Sequence, residues 1–499
     1  MTRSVQSKMA RGAVWMMLFK LVERSLGLVS TLILVRLLAP ADFGIMAMAF
    51  SFILVAELLT AFGFDIALIQ RQDATEEHYH SAWTCNVLLG LTITVLMLVT
   101  AWPISLFYSQ PDVFWVVCAL AVGPLIGGAE NIGVVAFRKD LDFRKEFAFQ
   151  LSRKVVGFVV AVPLAFWLHS YWALVGGTLA FKLAGTVNSY WAHPFRPHFS
   201  LSKARALIGF SKWLLLNNVV GFLKERSSDF FIGRLHGPAA LGLYNVSYEF
   251  ANLPSTEMSA PINRALLPGF ARLTSDPVAL AGAYLNAMRM LALFAIPAAA
   301  GVFAVADYFV PVVLGTKWLE STPLLKLLTI NGALLFFHSS ICAVLIGTGH
   351  PDRAVKTNSI YVVIMLTGLI LLAGAGTMGV AYAVLTASVL STPIYLHQVR
   401  RCIGVSAGSF LGAALRPMIA SLIMILAVHA FLPGYSGTQS TLEAALWLGG
   451  GVAVGVTAYI AAILIMWVSV ARPDGAERML FDKIRGRIRD RWLSGSSGA

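Results

Sequence analysis

The sequence predicts an all-α polytopic membrane protein of 14 transmembrane helices, arranged as two six-helix lobes related by a parallel repeat plus two C-terminal helices. Three observations lead there. Hydrophobic residues make up 58% of the 499 positions and charged ones only 13%, against roughly 25% charged in soluble domains, and the mean hydropathy is +0.74. Apolar runs recur at lengths that cross a ~30 Å hydrocarbon core, which takes about 20 helical residues. The lysines and arginines of the connections fall almost entirely in alternate ones.

The runs, in order, are 13–38, 43–69, 83–107, 113–137, 148–168, 171–191, 207–235, 241–268, 284–306, 323–347, 357–376, 378–400, 410–432 and 444–470. The first is too long for a signal core and is interrupted by Lys20, Glu23 and Arg24, so it reads as a retained helix although Ala39-Pro40-Ala41 imitates a cleavage site. With the N-terminus inside, one set of connections carries Arg3, the Arg138/Lys139/Arg144/Lys145 group, Lys203, Arg353, Arg400 and the basic tail, while the alternate set carries only Lys317. Losing or adding one helix would scramble this asymmetry, so both termini are expected to be cytoplasmic. The net charge of +13 is thereby a topological signal and implies no nucleic acid.

A stretch of sequence occurs twice. Arg36, Leu37, Pro40, Ala41 and Gly44 recur at one constant offset as Arg234, Leu235, Pro238, Ala239 and Gly242, and Trp15 recurs as Trp213. The Glu-Arg-Ser triplets at 23–25 and 225–227 match after a four-residue slip, about one helical turn. Spans 1 and 7 start on the same side, so the halves are related by an axis along the membrane normal. The expected organisation is an N-lobe over 1–200, a C-lobe over 201–404, two added helices over 405–471 and a basic amphipathic tail over 472–499. That tail sets Phe481, Ile484, Ile488 and Trp492 at helical spacing among basic residues, which suits an anionic leaflet surface.

Charges within the spans are the candidate site, since each is costly at membrane depth unless it meets a partner or a watery cavity. The expected substrate-binding cations are Lys20, Arg24, Arg153, Lys182, Lys224, Arg226 and Arg289. Lys20 and Arg24 share one helix face and repel unless an anion or carboxylate answers them. Arginine forks and lysine point charges suit a diphosphate, and a cationic cavity between the halves would hold it. Interhelical ion pairs, together with cations that snorkel near cytoplasmic ends, such as Lys154, are the plainer alternative. Glu57, Asp65 and Glu257 are candidates to exchange a proton or sodium ion. No metal or cofactor is expected: Cys85, Cys118, Cys342 and Cys402 stand singly, as packing thiols do. The absence of a Gly-x-x-x-x-Gly-Lys-Ser/Thr loop excludes ATP hydrolysis by this motif.

The run Leu38-Ala39-Pro40-Ala41-Asp42-Phe43-Gly44, with Ala67-Leu68-Ile69-Gln70, Leu141-Asp142-Phe143-Arg144, Tyr171-Trp172-Ala173-Leu174-Val175 and Gly315-Thr316-Lys317-Trp318, resembles the bacterial polysaccharide-transporter family. Those are the Wzx-type flippases of the multidrug, oligosaccharidyl-lipid and polysaccharide exporter superfamily. The resemblance implies a 12-helix core, sometimes with two added helices, that turns undecaprenyl-diphosphate-linked oligosaccharide from the cytoplasmic to the periplasmic leaflet by ion-coupled alternating access. The implied setting is the bacterial inner membrane, and the implied partners are that lipid, membrane lipids and polysaccharide polymerase or assembly proteins. The alternatives are a lipid II-type flippase or a drug/cation antiporter of the same superfamily and, further off, a membrane-embedded polymerase or ligase. An antiporter would favour a net acidic cavity, whereas the spans hold slightly more basic than acidic residues; a polymerase or ligase usually needs a large outer loop.

Overall fold

A computed structural model describes residues 22–59, 64–71, 73–140, 142–204, 212–273 and 276–469. Every regular element among them is helical. In chain order these are α1 (22–37), α2 (Pro40–Leu59), α3 (Phe64–Gln70), α4 (Glu76–Tyr108), α5 (Pro111–Leu120), α6 (Val122–Gly128), α7 (Val135–Lys139), α8 (Phe143–Leu168) and α9 (Trp172–Ala192). They continue as α10 (Lys212–Arg272), α11 (Pro277–Phe309), α12 (Thr322–Gly347), α13 (Pro351–Leu372), α14 (Gly376–Ile403), α15 (Ala407–Phe431) and α16 (Thr441–Ser469). Among the described residues eight helical stretches are long and apolar enough to cross a membrane. The protein is therefore an all-α, multi-pass membrane protein, as its composition predicts. The basic tail lies outside the described residues.

Several expected spans are not single rods. The fourth, 113–137, breaks between α6 and α7, where Asn131 turns the chain: its side chain accepts from the Gly133 N–H at 2.9 Å and donates to the Phe195 carbonyl at 2.6 Å. Glu130 thus sits on a bend and not on a helix face. The seventh and eighth run together as α10, broken at Gly237, whose φ of 79° leaves the helix; Pro238 then restarts it, its fixed φ suited to a first helical position. The 307–322 connection is helical too, a π-turn over Val310–Leu314 followed by a 3₁₀ turn over Thr316–Ser321. Trp318 in that turn is fully buried.

The chain forms two compact units, Met1–Asn245 and Val246–Ala499. In the first, α8 and α9 make an antiparallel hairpin, α4 packs on α5 and α6, and α2 packs on α4 and α5. A core at one end gathers Phe64, Leu68, Trp83 and Val135. The extended stretch after α9 is strapped to that end: the Ser200 N–H donates to Thr84 Oγ1 at 2.9 Å, and Ser202 Oγ donates to Glu77 at 2.8 Å. Burial holds His193, where the stretch leaves α9, below the ordinary histidine pKa, so its Nδ1 stays free to accept the Phe195 N–H at 3.2 Å.

In the second unit, Tyr284, Met288, Leu291, Phe336, Val344 and Tyr395 are buried together. His338 is buried there, stacked on Tyr395 at 4.0 Å with its Nε2 2.9 Å from Thr392 Oγ1, a packing role. The added helices α15 and α16 lie chiefly on α11. Tyr459 donates to the Leu293 carbonyl at 2.7 Å and Tyr308 to the Pro433 carbonyl at 2.9 Å. Their other faces keep leucines and isoleucines exposed, as lipid-facing helices do.

Candidate functional site

The two copies of the repeated motif meet each other inside the first unit. Pro40 starts α2, and Asp42 two residues later accepts the Ala39 N–H at 2.9 Å through Oδ2, a carboxylate reaching back to cap its own helix. Its Oδ1 accepts the Tyr171 N–H at 2.9 Å, which ties the start of α2 to the start of α9. Two motifs that lie far apart in sequence are joined by that one carboxylate. Four residues into α2, Gly44 faces the Pro238 carbonyl so closely that any β-carbon would overlap it; reciprocally, Gly242 faces the Pro40 carbonyl with no more room. The contact is backbone on backbone and two-fold in form, as small residues allow between membrane helices.

Charged groups of the first unit cluster elsewhere. Arg153 on α8 reaches Glu130 at the α6–α7 bend, at 3.3 Å, and its guanidinium lies 4.5 Å from the Phe181 ring centre. Arg138 bridges Glu146 at 3.4 Å and Asp65 at 3.8 Å. Glu130 is also close enough to Arg138, Asp65 and Glu146 to feel their charge, so this end of the unit holds one connected network. Lys182 lays its methylenes across Gly123 on α6. Lys154 pairs with Glu23 on α1 at 3.3 Å.

A second group lies on α10. Arg226 donates to Asp229 Oδ2 at 3.2 Å, and Ser51 Oγ of α2 donates to the same oxygen at 3.3 Å. Asp229 is 1% exposed whereas the Arg226 side chain is 35% exposed, so the arginine spans from a buried carboxylate to accessible space. Lys224 stands half a turn earlier on that helix. In the second unit Arg289 donates to Asn286, one turn back on α11, at 3.1 Å.

Of the ten residues singled out from sequence, Arg153, Asp65 and Arg226 are thus engaged with oppositely charged side chains. Lys20 lies outside the described residues, as do the side chains of Glu57 and Glu257. Arg24 is described on α1, half-buried. Among the described residues no group of three or more His, Cys, Asp or Glu forms a candidate metal site, and all four cysteines are free thiols. Sequence reasoning did not single out Ser51, which meets its carboxylate across 178 positions, a pairing that no local pattern signals. It placed Lys154 among cations that snorkel, where the structure gives it a carboxylate partner.

The polysaccharide biosynthesis protein family matches residues 33–323. The lipopolysaccharide biosynthesis protein WzxC of Escherichia coli is 25% identical over 440 residues, covering 86% of this chain and 88% of that protein. The succinoglycan biosynthesis transport protein ExoT of Rhizobium meliloti is 25% identical over 491 residues, covering 95% and 96%. The teichuronic acid biosynthesis protein TuaB of Bacillus subtilis is 26% identical over 412 residues, covering 81% and 84%. Among solved structures, the lipid II flippase MurJ in its inward closed conformation superposes with a TM-score of 0.72 at 14% identity, over 91% of this chain and 99% of MurJ. An inward-facing MATE family multidrug resistance transporter gives 0.57 at 16%, over 77% and 96%. These two likenesses define the fold. The family match spans more than half of the 499 residues, and on it this chain belongs to the polysaccharide biosynthesis protein family.

Proposed function

We propose that this protein is a flippase that moves undecaprenyl-diphosphate-linked oligosaccharide, a repeat unit of O-antigen, capsule or exopolysaccharide, from the cytoplasmic to the periplasmic leaflet of the inner membrane. The observation that carries this reading is the family match over 33–323, joined by relatives named for polysaccharide biosynthesis and transport that align with most of the chain. The chemistry within the spans supports it. Lys20, Arg24, Arg153, Lys182, Lys224, Arg226 and Arg289 supply the cations that a diphosphate needs, and Arg226 already extends from a buried carboxylate into accessible space. Carboxylates hold Arg153 and Arg226 in this state, and an arriving diphosphate would exchange for them.

The cycle is proposed to alternate between inward-open and outward-open states of similar energy, each populated, with Glu57, Asp65 or Glu257 taking up a proton or sodium ion. Both termini are placed in the cytoplasm, and assembly enzymes such as a polymerase are the proposed partners. The test is leaflet exchange of a fluorescent undecaprenyl-diphosphate oligosaccharide in proteoliposomes. The wild type is expected to exchange it, and Arg24→Ala, Lys182→Ala and Arg226→Ala, verified as folded, are expected to lose at least tenfold in rate. Transport of organic cations instead, or undiminished exchange in all three variants, would refute the substrate or the site.

A further inference from the structure

The extended stretch from His193 to Lys203 is held in place by acceptors of two kinds. The Ser200 N–H donates to Thr84 Oγ1 at 2.9 Å and the Lys203 N–H to Ser81 Oγ at 3.1 Å, and hydroxyls accept at any pH. The His198 N–H instead donates to His80 Nδ1 at 3.1 Å, and the Phe195 N–H to His193 Nδ1 at 3.2 Å. A ring nitrogen accepts only while it carries no proton, so both imidazoles are neutral in this arrangement. The His80 and His198 rings also stack with their centres 3.5 Å apart, where two charges would repel. Pro194 and Pro197 stand on either side of Phe195, and their fixed φ stiffens the stretch.

The same stretch anchors the α6–α7 bend. Asn131 donates to the Phe195 carbonyl at 2.6 Å, and Glu130 beside it holds Arg153 at 3.3 Å. Gly133, just after the bend, leaves no space beneath His193, because a β-carbon there would overlap the ring. We propose that residues 193–203 form a proton-released latch on α4, closed while His80 and His193 are neutral and lifting as one piece when they take up protons, which frees the bend at Asn131. Docking requires neutral rings, so the released stretch binds protons more readily. The latch is therefore closed above the ordinary histidine pKa of ~6.5 and opens as pH falls below it, by up to about tenfold per pH unit for each ring. Facing His80 are Glu76 and Glu77 of its own helix and His198 of the stretch; facing His193 are Lys145 of α8, Asp140 ahead of it and Arg196 of the stretch. The two glutamates favour a proton on His80 whereas the docked stretch does not, so acid exchanges the latch for the proton. His198 is exposed, which gives that proton a way in. On the topology proposed above it comes from the cytoplasm.

The experiment is hydrogen exchange of the full chain in nanodiscs over a pH series from about 7.5 to 5, with fragmentation that resolves single amides and protection corrected for the intrinsic rate. The amides of Phe195, His198, Ser200 and Lys203 are expected to lose protection together, by at least tenfold, with α8 and α9 unchanged. In His80→Asn/His193→Asn the amide oxygens accept in place of Nδ1 at every pH, and protection should stay level across the series. Loss at Phe195 and His198 alone, with Ser200 and Lys203 still protected, overturns the proposal, because the proton then breaks two bonds without lifting the stretch. Equal loss in α8 and α9 overturns it as general unfolding, and a wild-type response that persists in the double variant removes the histidines from it. Should the double variant be undocked throughout, the wild-type midpoint decides: a fall centred near ~4.3, the ordinary glutamate value, assigns release to Glu76 or Glu77 and overturns the latch. Leaflet exchange plays no part in these readouts, so the latch can fail while the flippase reading stands.

Discussion

Two regions of the first unit are built on opposite principles. Where Pro40–Gly44 meets Pro238–Gly242, backbone lies on backbone and there is no room for one added atom. Between α1, α2, α8 and α9 there is a groove lined by Lys154, and in this unit Lys154, Arg153 and Arg226 reach carboxylates at 3.2–3.3 Å with part of their surface left accessible. The close contact is made by the Pro-Ala-x-x-Gly part of the repeat, whereas two of those ion pairs join repeated Glu-Arg-Ser residues, Glu23 and Arg226, to residues outside the repeat, Lys154 and Asp229. A diphosphate can displace a carboxylate from a half-exposed arginine, but nothing can enter the glycine contact without prising helices apart.

The largest expected effect breaks the close contact. Gly44→Leu or Gly242→Leu drives a side chain into a carbonyl that neither helix can move alone, and should cost at least about 3 kcal/mol, the upper range for overpacking. A thermal-unfolding series in detergent should show both variants well below wild type; an unchanged midpoint would mean the contact is loose. Next comes Arg226→Ala, which leaves the buried Asp229 carboxylate with neutral partners, Ser51 and Asn245, at up to about 3 kcal/mol since the arginine is partly exposed. Adding Asp229→Asn should restore most of that stability without restoring exchange, and a double variant that recovers exchange would make Arg226 purely structural. Asp42→Ala removes the acceptor of two backbone N–H groups and should cost about 1–2 kcal/mol. Its readout is faster hydrogen exchange at Ala39 and Tyr171 together. The smallest effect is expected at the added helices, where Tyr459→Phe loses one interhelical bond worth about 0.6 kcal/mol and should leave leaflet exchange at the wild-type rate.

Much of the architecture was legible because the bilayer imposes it. A helix must satisfy its own backbone in lipid, so apolar run length and charge asymmetry reveal helices without any knowledge of their neighbours. Interruptions were less visible: the bend at Asn131 depends on the Phe195 carbonyl, 64 positions away. The candidate cations were found by depth alone, and depth does not name partners. Lys154 and Glu23 are far apart in sequence and meet only because α1 packs beside α8.

By itself, the sequence determined that this is a helical, multi-pass membrane protein and where its motif is written twice, because these follow from local hydropathy and identity. Only the tertiary structure decided that the two copies clasp each other through Gly44 and Gly242, that Asp42 ties α2 to α9, and that a groove lined by Lys154 lies open between four helices. Those features are distances between residues remote in the chain, and such distances are set by how helices pack, which no local pattern contains.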